Sequence, residues 1–157
     1  MGNLNEQFGT QAQSITCTIT SLANAAARQS TAIDNSSNLF FDALVSVKVK
    51  TASSSTSASG YVSVYAYATV DGGTTYTDGA SGSDGAITPT VPANLKLIGN
   101  INCVANSTTY YGGPFSVASA FGGLLPQKWG IVVVNNTGAT LDASVGAVVY
   151  QGVFGAY

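Results

Sequence analysis

Residues 60–79 read GYVSVYAYATVDGGTTYTDG and contain the clearest structural pattern in the chain. From residue 61 to 70, small aliphatic side chains alternate with tyrosine, serine and threonine. This is the two-residue period of a β-strand. The aliphatic side chains share the face that packs against a second sheet, whereas Tyr61, Tyr65 and Tyr67 share the other face.

The end of this strand predicts a tight turn. Asp71–Gly73 supplies the positive-φ residues that a two-residue reversal needs, so we expect a β-hairpin that returns through Thr74–Thr77. The glycine-rich stretch 78–85 is expected to be an exposed loop.

Other segments repeat the strand pattern. Valines alternate with polar residues in the second half of segment 39–51, and the run 129–135 is apolar enough for a strand buried on both faces. Further strands are predicted over residues 14–21, 95–104 with a bulge at Gly99, and 141–153, whereas residues 110–114 are predicted to form a turn. About eight short strands without an amphipathic helix predict an all-β, single-domain β-sandwich, with a jelly roll as the first choice.

The N-terminal residues differ in composition from the rest. Residues 1–13 are rich in Gln and Asn, and they predict a flexible arm that precedes a β-sandwich domain over residues 14–157. We expect this arm to become ordered when a neighbouring molecule binds it.

Composition limits the classes of function. The chain has 157 residues, a length typical of one domain, and only 8% of them are charged. Its five basic residues are scattered and the net charge is −2, whereas a nucleic-acid site needs a concentrated positive field. Weak repulsion between copies favours a component of an assembly, and we expect a homo-oligomer.

The two cysteines and the hydropathy pattern point to an ordinary reduced, water-soluble chain. Cys17 and Cys103 each lie in a strand-like run, and we expect both to be free, although the sequence leaves a disulfide open. The first residues lack the pattern of a secretory signal, and no apolar run approaches the ~20 residues that span a bilayer. We therefore expect synthesis in a cytoplasm and no membrane partner.

Nothing in the sequence predicts catalysis. The chain has no histidine, which removes the commonest general base and metal ligand. Most of the acidic residues lie in turns, where an aspartate accepts hydrogen bonds from its own backbone. Asp71, Asp78 and Asp84 lack the spacing of a calcium loop. We expect no enzyme activity, no cofactor and no metal.

Tyrosines are the candidate binding residues. They share one strand face or lie near glycines, and the set is Tyr61, Tyr65, Tyr67, Tyr76, Tyr110 and Tyr111. Three interpretations are open: half-exposed side chains without a partner, a protein–protein interface, and a carbohydrate-binding face.

Several segments resemble small structural proteins of tailed bacteriophages. The likeness extends over residues 33–152 and lies in overall texture, without a single diagnostic motif. It is carried by Asp34–Leu39, Tyr65–Tyr67 with Asp71–Tyr76, Asn94–Gly99, Gly113–Ser116 and Gly122–Gly130.

The resemblance implies a β-sandwich component of the virion, and some proteins of this kind are cement or decoration proteins on the capsid. The leading hypothesis is therefore a capsid cement protein. It would be a dimer or trimer on the capsid surface, made in the host cytoplasm, that binds the major capsid protein. The alternatives are a tail, neck or head-fibre component and, from another class, a small carbohydrate-binding module.

Overall fold

The computed structural model describes residues 5–91 and 93–156, which form eleven β-strands and two short 3-10 turns. The strands are β1 (Asn5–Phe8), β2 (Gln13–Ile15), β3 (Ala27–Gln29), β4 (Ile33–Asp34), β5 (Asp42–Lys50), β6 (Tyr61–Thr69), β7 (Gly85–Ile87), β8 (Lys96–Asn102), β9 (Thr109–Ser116), β10 (Lys128–Asn136) and β11 (Gly146–Ala156). The 3-10 turns are Thr77–Gly79 and Ala118–Phe121.

The strands form two antiparallel sheets. Sheet A has the order β1-β11-β5-β9, and β2 joins β1 along the same edge of β11. Sheet B has the order β7-β3-β10-β6-β8, and β4 pairs with β10. The predicted all-β sandwich is confirmed, whereas its finer assignment as a jelly roll stays a prediction.

The main core fills the space between the sheets. Alternate residues of β5 and β6 point into it, as the sequence predicted; Val45, Val47 and Val49 come from sheet A, and Val62 and Val64 from sheet B. Each is at most 1% exposed. Full burial of a valine contributes roughly 1.5 kcal/mol or more, so these five side chains contribute several kcal/mol to the stability of the sandwich.

The apolar run 129–135 forms most of β10, which is buried on both faces as predicted. Trp129, Ile131 and Val133 point into the main core, and the Trp129 ring meets Tyr150 of sheet A edge to face at 5.5 Å. Val132 points to the opposite face, into a second cluster.

This second cluster lies on the outer face of sheet B and explains the main failure of the sequence prediction. The predicted hairpin after Asp71 is wrong, because β6 pairs with β10 and β8 and not with the segment that follows it. Residues 70–84 instead lead across the outer face of sheet B to its far edge, where β7 pairs with β3, and Ala80 and Leu95 pack on that face against Tyr67. The predicted strand also ends one residue early, so Val70 is fully exposed.

Two local predictions for the edge strands have opposite outcomes. The bulge predicted at Gly99 is confirmed by a register shift between β6 and β8 at this point. The turn predicted at residues 110–114 is wrong, since these residues continue β9. A register shift against β5 and a positive φ at Gly113 allow the strand to carry this glycine-rich stretch.

The segment for which the sequence predicts a flexible arm contains a short strand. Asn5–Phe8 forms β1 and pairs with the end of β11, because that edge of sheet A offers free backbone groups. The part of the predicted arm at residues 1–4 lies outside the described residues. Across the described chain, no helix has the length and apolarity needed to span a bilayer.

Candidate interface at one end of the sandwich

The candidate tyrosines of β6 lie on the outer face of sheet B, part of which is covered by Tyr76, Ala80 and Leu95. Tyr67 is completely buried, its hydroxyl donates a hydrogen bond to the Ser30 carbonyl at 2.6 Å, and its ring meets Tyr76 edge to face at 5.4 Å. Burial raises the pKa of the Tyr67 hydroxyl above its usual range. Tyr65 and Tyr76 are partly buried in the same cluster, and Tyr61 at the start of the strand is exposed. Tyr67 therefore has no surface to offer a partner.

The other two tyrosines belong to β9 in sheet A. The Tyr110 hydroxyl accepts hydrogen bonds from the backbone N–H groups of Val104 and Ala105, at 3.1 and 2.9 Å. Tyr111 is 75% exposed, and the Lys48 ammonium lies 5.7 Å from its ring centre. The six predicted tyrosines are thus divided between two sheets and do not form one surface.

Both cysteines are free; Cys103 is buried and Cys17 is partly buried. Burial raises the pKa of Cys103 to about 11 and, with a smaller contribution from the Asp84 charge, that of Cys17 to about 12. Both groups are therefore protonated at neutral pH and are poor nucleophiles.

The Asp84 carboxylate, directly before β7, accepts four hydrogen bonds. One carboxylate oxygen accepts from Arg28 Nε at 2.7 Å and the other from Arg28 Nη2 at 2.9 Å. The backbone N–H and the hydroxyl of Thr18 also donate to this carboxylate, at 3.1 and 2.6 Å. These bonds, above all those from Arg28, hold the pKa of Asp84 well below its usual range. The group is a structural clamp and not a reactive carboxylate.

The remaining aspartates of the loops have similar local partners. Asp71 accepts from the N–H groups of Thr74 and Thr75 at 3.0 Å, and Asp142 accepts from Ser144 and Lys50. The turn-forming role predicted for such residues is confirmed at these positions. Within residues 5–91 and 93–156, no cluster of three or more His, Cys, Asp or Glu side chains could hold a metal ion.

An exposed apolar surface lies at the end of the sandwich where β5 begins and β6 ends. Three loops meet there, formed by residues 35–41, 70–77 and 117–127. Leu39, Val70 and Leu124 are each more than 70% exposed, although they are large aliphatic side chains. We call the surface formed by Leu39, Phe41, Val70, Leu124 and Leu125 the apolar end.

A groove of about 840 Å³ runs through the apolar end. Its walls come from the loop after β6 and from residues 120–126; they include Val70, Tyr76, Phe121 and Leu124. A smaller cavity of about 340 Å³ lies beside it, is lined by Leu39 and Phe41, and shares Leu124 and Leu125 with the groove. The Leu125 N–H donates to the Phe41 carbonyl at 3.2 Å, which fixes two of the loops against each other.

The groove is lined mainly by apolar side chains. Its charged lining residues are Asp71 and Lys96. Hydrogen bonds from the Thr69 hydroxyl and then from the Thr75 and Thr74 N–H groups occupy the Asp71 carboxylate and lower its pKa below the usual range. An open apolar groove with an exposed aliphatic rim is typical of surfaces that bind another protein.

The sequence patterns do not predict this surface. Leu39 begins a segment for which a strand is predicted, and Leu124 and Leu125 lie outside every predicted strand and are not among the candidate binding residues. The one local signal is the pair of adjacent leucines between Gly123 and Pro126, because large aliphatic side chains are not required in a solvent-exposed turn.

Comparisons of the chain with protein-family models, curated proteins and solved structures found no match.

Proposed function

We propose that this chain is a non-enzymatic structural protein of a tailed-bacteriophage virion, of the capsid cement type, and that it binds the lattice of the major capsid protein. The observation that carries the proposal is the apolar end, where three loops present exposed leucine and valine around a groove of about 840 Å³. The resemblance of residues 33–152 to such virion proteins supplies the choice of partner.

The apolar end has the properties of a surface that binds through shape. Its loops are anchored: Asn35 accepts a hydrogen bond from the Phe40 N–H at 3.0 Å and donates to the Phe40 carbonyl at 2.8 Å. The Asp42 carboxylate receives the Ala118 N–H at 2.8 Å and so fixes the start of the third loop. Because the surface is held in place before binding, little conformational entropy is lost when a partner covers it.

The order of the strands supports the prediction that the sandwich is a jelly roll. Without β1, β4 and β7, the eight remaining strands can be renumbered one to eight along the chain. Strand one then neighbours eight, two neighbours seven, three neighbours six and four neighbours five. This nested pairing is what two Greek keys wrapped into a sandwich produce, an architecture found in viral capsid domains.

Binding to phage heads tests the proposal. The purified chain would be added to heads of the parent phage that lack it, and the bound copies counted after sedimentation. We expect saturation at a number that follows the capsid lattice. The Leu124→Asp variant is expected to lose at least about tenfold in affinity, because it places a charge in the contact.

A matched control comes from the opposite end of the sandwich. Val104 is a half-exposed aliphatic residue beside the Cys103–Gly60 backbone bond, so Val104→Asp makes the same kind of change away from the proposed contact. We expect this variant to bind like the wild type. Equal binding by the Leu124→Asp variant would contradict the proposal, and saturation at a few copies per particle would favour a tail, neck or head-fibre component.

One observation favours the carbohydrate-binding alternative. Tyr111 stands exposed beside a cavity of about 320 Å³ on the outer face of sheet A, next to Lys48 and Ser46. The Tyr111 ring offers an apolar face to a sugar, and Ser46 and Lys48 offer hydrogen-bond donors beside it. Glycan binding by the wild-type chain that Tyr111→Ala abolishes would favour this function over the capsid one.

A further inference from the structure

We propose that β1 is an exchange strand, which leaves β11 of its own chain and pairs with β11 of a second copy. In the structure, Asn5–Phe8 runs antiparallel to residues 153–156, with Glu6 opposite Gly155. All four residues of β1 are exposed, so backbone hydrogen bonds provide most of its attachment.

The end of β11 that pairs with β1 has little support from the rest of sheet A. Strand β5 accompanies β11 only as far as the Asp42–Val153 pair. Beyond Val153, β1 is the only strand paired with β11 among the described residues, so residues 5–7 and 154–156 form a two-stranded ribbon at the apolar end. An isolated two-stranded ribbon buries little surface and is marginally stable in water.

A fixed pivot separates β1 from the rest of the chain. The Gly9 N–H donates to the Gly152 carbonyl at 2.8 Å, and the Gly9 carbonyl accepts from Gln151 Nε2 at 2.9 Å. A side chain at Gly9 would lie 3.3 Å from the Phe40 ring, so the backbone is held close to it. The sandwich can therefore keep its packing from Gly9 onward while the four residues of β1 swing away.

A second copy is the occupant that fits this edge best. Its β11 offers the same backbone donors and acceptors in the same register, so exchange conserves every hydrogen bond of the ribbon. Four extended residues reach at most about 14 Å, so the neighbour's β11 must lie within that distance of Gly9. Exchange thus requires the ribbons of two copies to lie side by side, and it accounts for oligomer formation without using the core.

Mixing two single-cysteine variants tests the exchange on the isolated chain, whether or not the chain binds capsids. One variant carries Glu6→Cys and the other Gly155→Cys, both in a background with Cys17→Ser and Cys103→Ala. After joint incubation at high concentration and oxidation, non-reducing electrophoresis measures the disulfide-linked dimer. Because a disulfide needs Cα atoms within about 7 Å, we expect at least about tenfold more dimer than in the control.

The control mixes Glu6→Cys with Ala147→Cys, an exposed residue of β11 far from β1. A chain carrying both Glu6→Cys and Gly155→Cys measures the pairing within one copy. If this chain closes its own disulfide while the mixture gives no more dimer than the control, the exchange is overturned. Failure of the double variant to form any disulfide would overturn the β1–β11 pairing on which the proposal rests.

Discussion

Asp84 receives hydrogen bonds from two directions, from the guanidinium of Arg28 in β3 and from Thr18 in the connection before it. The carboxylate therefore ties the start of β7 to β3 and to the connection that precedes β3. In a chain with so few charges, this bidentate pair has a role that a typical surface ion pair lacks, since both side chains are largely shielded from water.

Replacing Asp84 with Asn is expected to lower the free energy of unfolding by about 2 kcal/mol, because charge-assisted hydrogen bonds are lost while Arg28 stays half-buried. Urea denaturation of the two proteins measures the difference. Asp34→Asn is the control: its carboxylate is about half exposed and 3.6 Å from Lys128, so a much smaller loss is expected. Equal losses in the two variants would contradict the role of Asp84.

The same carboxylate predicts how stability depends on pH. The pKa of Asp84 is lower in the folded chain than in the unfolded one, so its contribution is present above about pH 4 and is lost as the pH falls through the folded-state pKa. We expect the wild-type midpoint in urea to fall from pH 5 to pH 2, and the Asp84→Asn midpoint to fall less. Parallel curves for the two proteins would show that other groups cause the acid sensitivity.

At the scale of strands, β6 and β10 depend on each other through a glycine. Gly130 lies opposite Tyr67, and a Cβ at Gly130 would lie 2.3 Å from the Tyr67 ring. The absence of a side chain at Gly130 leaves room for the Tyr67 ring, which packs in a cluster with Ala80 and Leu95. A glycine inside a buried strand usually weakens it, but here it creates room for a larger buried ring.

Gly130→Ala is therefore expected to destabilise the chain by about 1–3 kcal/mol, because the ring must move within a packed cluster. Thermal or urea unfolding measures the loss. Gly85→Ala in β7 is the matched control, since its nearest atom would be 3.7 Å away and its φ is not positive. If the Gly130→Ala variant is as stable as the wild type, the close packing of Tyr67 against Gly130 does not contribute to stability.

The strands also show what sequence periodicity can and cannot predict. Strands β5, β6 and β10 could be predicted because alternation or a continuous apolar run reports burial directly. The hairpin after Asp71 could not be rejected, because a turn motif gives the reversal but not the strand that β6 pairs with. The pairing of β6 depends on β8 and β10, which come later in the chain. It also depends on Tyr76 and Ala80 packing on the outer face of sheet B.

At the scale of the whole molecule, the two outer faces and the two ends differ. Tyr76, Ala80 and Leu95 pack on the outer face of sheet B, whereas the apolar end remains open. Leu39, Val70 and Leu124 are 30 or more positions apart in sequence, so no local pattern could predict that they meet. The tyrosines became candidate binding residues because one strand carries several of them, but the folded chain buries Tyr67.

The central claim is that the apolar end binds the major capsid protein, and a cryo-EM map of the parent phage particle tests it most directly. The account predicts one sandwich at each equivalent lattice position, with Leu39, Val70 and Leu124 against the capsid surface. Density for this chain at the tail or neck, or on the capsid with the apolar end facing solvent, would contradict it.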